Sequence, residues 1–127
     1  MAAPVLLIDD DDALRASLQE FLEHEGFLVV TARDGQRALD LLRSGELPAL
    51  ILLDFMMPVM NGSQFLAVKQ REPRLRNIPV VMLSAWTREW PGQAMGVEHV
   101  LSKPIDPQRL LVLINRYCER KALESQR

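Results

Sequence analysis

The sequence predicts an α/β fold in which a parallel β-sheet carries helices on both faces. Two observations carry this prediction. Short apolar runs recur along the chain at 5–8, 27–31, 49–53, 79–83 and, more weakly, 98–102. Such runs mark strands buried on both faces. Between them, apolar residues recur three and four apart, the pattern of helices with one buried side. Strand and helix alternate five times, which favours parallel strands joined by right-handed crossovers.

The elements follow in order. VLLI (5–8) ends in acids and reads as a first strand. A helix follows with Leu14, Leu18, Phe21 and Leu22 on one side; Asp11 or Asp12 caps its start and Gly26 stops it. FLVVT (27–31) is a second strand, and Asp34-Gly35 opens a helix carrying Ala38, Leu39, Leu41 and Leu42. ALILL (49–53) is a third strand, with Pro48 just ahead of it. Asn61 caps a helix containing Phe65, Leu66 and Val68. PVVML (79–83) is the fourth strand and EHVLS (98–102) the fifth. Asp106-Pro107 starts the last helix, with proline at its first position. Between strands four and five, SAWTREWPGQAMG carries Pro91-Gly92 in its middle. Proline inside a helix costs about 3 kcal/mol, so the fourth helix is expected to be short or irregular, or replaced by loop.

A chain of 127 residues fits one domain, expected over 1–127 with a core at about 4–121 and a charged C-terminal tail. The net charge of −2 gives no bulk attraction to nucleic acid, and no direct nucleic-acid partner is expected. MAAPVLLIDDDD meets four acids after four consecutive apolar residues, too few for a signal-peptide core or a membrane span. No membrane insertion is expected. The single cysteine, Cys118, excludes an internal disulfide and a cysteine zinc cage, which suits a reduced cytoplasmic setting.

The chemistry collects at strand ends. Ligands of open α/β sheets bind beyond the carboxyl ends of the strands. Strand one ends in Asp9-Asp10, strand three in Asp54, strand four in Ser84, and strand five leads to Lys103. Clustered carboxylates without histidine or cysteine suit a hard, oxygen-preferring cation such as Mg²⁺. An aspartate can also attack phosphorus, with a metal and a lysine offsetting charge on the transferred oxygens. Ser84 adds a hydroxyl donor. Asp54 then ends a buried strand because that strand holds it rigidly. Each residue has a plainer reading when taken alone. Asp11 and Asp12 are helix N-terminal acids. Met56, Met57 and Met60 read as packing, since thioethers are poor partners for hard ions. His24 and His99 read as a surface helix residue and a strand residue. Only the combined set promotes Asp9, Asp10, Asp54, Ser84 and Lys103.

That set, in the motifs IDD (8–10), LLDFMMPVMNG (52–62), VVMLSA (80–85) and LSKP (101–104), resembles the response-regulator receiver domain of two-component signalling. The resemblance covers essentially the whole chain. Asp10 to Asp54 spans 44 residues and Asp54 to Ser84 spans 30, as in that family. It implies a flavodoxin-like sheet of order 2-1-3-4-5. It implies that Asp54 is the phosphoacceptor, and that Asp9, Asp10, Asp54 and the backbone carbonyl of Met56 hold Mg²⁺. Ser84 stands at the switch hydroxyl, Lys103 contacts the phosphoryl group, and the Lys103-Pro104 bond is expected to be cis. The implied partners are a histidine kinase or histidine phosphotransfer protein upstream and a downstream protein or effector domain. The protein would be a switch that promotes its own phosphorylation and dephosphorylation rather than an enzyme. Three departures stand out. Val100 replaces the usual aromatic three positions before the lysine. The interval from Ser84 to Lys103 is a few residues short. Trp86 occupies an often polar position. Trp86 and Trp90 are accordingly expected to lie in a segment that reorders on phosphorylation. A phosphorylation-independent docking module of the same fold remains an alternative. So does a small Mg²⁺-dependent phosphatase with an aspartyl intermediate; such phosphatases usually carry a second acid where Met56 stands.

Overall fold

The computed structural model describes residues 3–45, 47–55, 60–84 and 97–118. Their elements run β1 (Val5–Ile8), α1 (Asp12–His24), β2 (Val29–Ala32), α2 (Gly35–Ser44), β3 (Leu50–Asp54), α3 (Gly62–Arg71), β4 (Val80–Ser84), β5 (His99–Ser102) and α4 (Pro107–Tyr117). The five strands form one parallel sheet in the order β2-β1-β3-β4-β5, as the resemblance implied. The predicted strands match within two residues. The largest shift is at β2, where Phe27 and Leu28 precede the ladder. The segment with Trp86 and Trp90, expected to be short, irregular or loop, lies outside the described residues, as do the Met56 carbonyl and the charged tail.

Strand alternation sends side chains to opposite faces. Leu6, Ile8, Ile51, Leu53, Val80 and Met82 pack with Ala38, Leu39, Leu42, Phe65 and Leu66 of α2 and α3. Val5, Leu7, Leu50, Leu52, Val81 and Leu83 pack with Leu18 and Leu22 of α1 and with Leu110 and Ile114 of α4. Every residue of β1, β3 and β4 is buried, whereas the edge strands β2 and β5 are partly exposed. This explains the continuous apolar runs: the three central strands have no solvent face. Each buried Leu, Ile or Val contributes roughly 1.5–3 kcal/mol. That is ample support for a few polar groups at the strand ends.

The caps follow the sequence closely. Asp11, Asp34, Asn61 and Asp106 each accept a backbone N–H in the first turn of their helix, and Asn61 and Gln64 form a reciprocal capping box. Gly26, at φ 96°, turns the chain out of α1. One buried residue is of a type that is almost never fully buried. Lys69, on α3, is fully buried and donates to the Arg76 carbonyl at 3.1 Å. Burial lowers its pKa, with some compensation from the charge of Glu98. A lysine among Phe65, Leu66 and Val68 reads as surface, because its hydrogen-bond partner lies in a loop the sequence does not place.

The loop leaving Asp54 is closed where Gly62 N–H donates to the Phe55 carbonyl at 2.9 Å. A Cβ on Gly62 would stand 3.1 Å from Phe55 Cα and 3.3 Å from its carbonyl oxygen. Backbone cannot swing aside as a side-chain tip can. Gly62→Ala is therefore expected to lower stability by about 1–3 kcal/mol in urea unfolding; an unchanged midpoint would show that the loop yields freely.

Candidate functional site

The sheet register builds the site. Ile8 pairs with Leu53, so Asp9 and Asp54 stand side by side one residue further on. Asp54 pairs with Leu83, which puts Ser84 one step beyond, and Ser84 pairs with Ser102, which puts Lys103 one step beyond that. Backbone bonds continue past the ladder: Phe55 N–H donates to Leu83 O at 3.2 Å and Lys103 N–H to Ser84 O at 2.8 Å. The Lys103-Pro104 peptide is cis. A staircase of single-residue offsets thus gathers groups separated by 94 positions in the chain.

Lys103 Nζ donates to Asp54 Oδ1 at 3.0 Å and lies 3.5 Å from Asp9 Oδ2. Carboxylate oxygens of Asp9, Asp10 and Asp54 all lie within 4.8 Å of one another. Asp9 is fully buried, Asp54 nearly so, and Asp10 is exposed. Ser84 ends β4 in a buried position. Asp34, after β2, caps α2 and takes no part in the group.

The electrostatics follow from burial and an excess of acids. Burial pushes the Asp54 carboxyl up to about 6; the Lys103 hydrogen bond opposes this, and the Asp9 charge adds to it. Burial likewise raises Asp9, against the Asp11 N–H it accepts at 2.9 Å and the attraction of Lys103. Burial works against the Lys103 ammonium, but its hydrogen bond to Asp54 and the two acid charges outweigh that and leave its pKa above the ordinary lysine value. Two buried acids share Lys103, and the exposed Asp10 adds a third carboxylate beside them. A hard divalent cation fits this donor set, since it would satisfy carboxylates that otherwise repel.

Arg15 is a member that the sequence did not single out. Its guanidinium donates to the Asp9 carbonyl oxygen at 2.8 Å and also pairs with Asp12, tying α1 to the turn that carries the acids. Its position three after Asp12 on α1 was the available signal.

Asp54 has a pKa consequence with a definite sign. Between the ordinary carboxylate value and about 6, the folded chain holds more protons at Asp54 than the unfolded chain does. Stability without metal therefore falls as pH rises through that window and levels off above it. Asp54→Asn should remove this loss. At pH 7.5, without divalent cations, the variant is expected to be more stable by on the order of 1–3 kcal/mol in urea. Its advantage should vanish near pH 4; equal stability at both pH values would contradict the assignment of the strained charge to Asp54.

Comparison with known proteins agrees with this fold. A family model described as the response regulator receiver domain matches residues 5–115. Response regulator Rre1 of a Synechocystis species is 37% identical over 98% of this chain and 56% of the relative. The transcriptional regulatory protein CpxR of Escherichia coli is 40% identical over 91% of this chain and 49% of the relative. The chain thus spans about half the length of these two relatives. The chemotaxis response regulator CheY4 of Vibrio cholerae superposes with a TM-score of 0.82 at 31% identity, over 91% of this chain and 98% of that one. Among the described residues, no helix is long and apolar enough to cross a membrane. This chain belongs to the response-regulator receiver domain family of two-component signalling.

Proposed function

We propose that residues 1–127 act as a single receiver domain, a switch set by phosphorylation of Asp54. The observation that carries this reading is the buried Asp54 carboxylate beside Asp9 and Asp10, hydrogen-bonded to Lys103. Asp9, Asp10 and Asp54, with the Met56 carbonyl, would hold Mg²⁺; when bound, the ion would neutralise acid charge and draw negative charge off the transferred oxygens. The donor is a phosphohistidine of a histidine kinase or histidine phosphotransfer protein. An Asp54 oxygen forms the new bond to phosphorus as the bond from phosphorus to imidazole nitrogen breaks, and the imidazole regains a proton. Lys103 balances charge on the phosphoryl oxygens. Ser84 donates its hydroxyl to the phosphorylated state and biases the chain between two arrangements. A downstream protein or effector domain reads the result. A cytoplasmic location suits a donor of that kind.

The acid set and lysine together favour this reading over a docking module indifferent to phosphorylation. An acetyl phosphate reaction is expected to add one phosphoryl mass in the presence of Mg²⁺ and none after chelation. Asp54→Ala should lose the label, and Asp10→Ala should lose its metal dependence. Lys103→Ala should keep metal binding while slowing labelling by roughly tenfold or more, the loss of about 1.4 kcal/mol of transition-state stabilisation. Wild-type labelling of Asp54→Ala would falsify the assignment.

A further inference from the structure

A groove runs along the far edge of the sheet, beside β2 and α2, and meets the acidic site only through Arg15 of α1. Its upper part is a cavity of about 440 Å³ lined by Arg15, Arg33 and Arg37 together with Asp40 and Leu41. Its lower part, about 280 Å³, is apolar and lined by Leu6, Val30, Leu41 and Pro48. Leu41 and Ser44 belong to both parts, so the two are continuous. Val30 and Leu41 are 39% exposed each, two of the few large apolar residues in the described chain that meet solvent.

The charge pattern says what fits. The chain as a whole carries −2, yet one end of this groove presents three guanidiniums. Arg15 is held by Asp9 and Asp12. Arg33 and Arg37 are exposed, and neither has an ion pair among the described residues. Asp40, the acid in the lining, accepts a hydrogen bond from Gln36 instead. The other end is apolar. Among the described residues, the edge strand β2 has no strand neighbour on its outer side, so its backbone groups there can take an extended chain. A free small anion would leave the apolar end unused. A nucleic acid needs basic or aromatic contacts along its whole track, which the lower half lacks.

We propose that the β2–α2 groove is a docking surface for an acidic, partly apolar peptide segment of a partner protein. Acidic side chains lie against Arg33 and Arg37, and apolar side chains cover Val30 and Leu41. The surface lies on the sheet edge opposite β5, so a partner can sit there without covering the ends of β4 and β5.

The test uses the unphosphorylated protein without added metal, which separates it from the phosphoacceptor reading. A synthetic peptide of three glutamates followed by alternating serine and leucine is titrated while protein amide resonances are followed. Saturable shifts are expected at Thr31, Arg33, Arg37 and Leu41. The charge reversal Arg33→Glu with Arg37→Glu should weaken binding at least tenfold while leaving acetyl phosphate labelling of Asp54 unchanged. Leu41→Ser should weaken binding about threefold. The proposal is overturned if no saturable shift appears at these amides, or if charge reversal has no effect. It is equally overturned if a lysine-for-glutamate peptide or a thymidine oligonucleotide binds as well. The same shifts and affinity with inorganic phosphate alone would make this a small-anion site and would also overturn it.

Discussion

Three acids cluster at the carboxyl edge of a parallel sheet with one lysine paired to two of them, and the rest of the structure holds that imbalance in place. Unit charges a few ångströms apart interact by about 3–5 kcal/mol at an effective dielectric constant of about 20. Lys103, 3.0 Å from Asp54 and 3.5 Å from Asp9, can offset roughly one acid but not all of them. The remainder appears as raised carboxyl pKa values at Asp9 and Asp54. Such a site is held in tension, which a bound cation or a change in the charge of Asp54 would relieve.

The sheet and helices make that tension sustainable. Asp9 and Asp54 are fixed because β1 and β3 are buried on both faces and locked in register. A slip of one residue would exchange the side chains packed against the two helix layers and carry the acids out of alignment. The turn after β1 is braced twice, by Asp11 N–H on the Asp9 carboxylate and by Arg15 on its carbonyl. Just beyond Asp54, Phe55 is fixed by the hydrogen bond and close approach of Gly62. The apolar core thus supplies stability, and the polar braces spend some of it on precise placement of the acids.

Much of this was legible in the sequence, for identifiable reasons. Strands without a solvent face give unbroken apolar runs, so β1, β3 and β4 were plain; at the edges, β5 had a weaker pattern and β2 began two residues later than its apolar run. Helix starts were readable because Asp11, Asp34, Asn61 and Asp106 are residue types whose side chains satisfy first-turn N–H groups. The site residues were readable because each stands at the end of an apolar run. What escaped depends on contacts between distant residues. Lys69 reads as surface until the Arg76 carbonyl is placed beside it. Arg15 is an ordinary helix arginine until α1 is docked over the Asp9 turn. The basic groove was hidden because Arg15 comes from α1, Arg33 from the turn after β2 and Arg37 from α2.

The central claim is that Asp54 is a buried, strained carboxylate poised for a cation and a phosphoryl group. The most direct measurement is the pH titration of the Asp54 side-chain carboxyl carbon by NMR, with and without Mg²⁺. Without the ion, the midpoint should lie near the value of about 6 set by burial and the neighbouring acid. With saturating Mg²⁺ it should fall by more than one unit, as the ionised form gains a partner. An ordinary carboxylate midpoint that ignores the ion would contradict the account at its foundation.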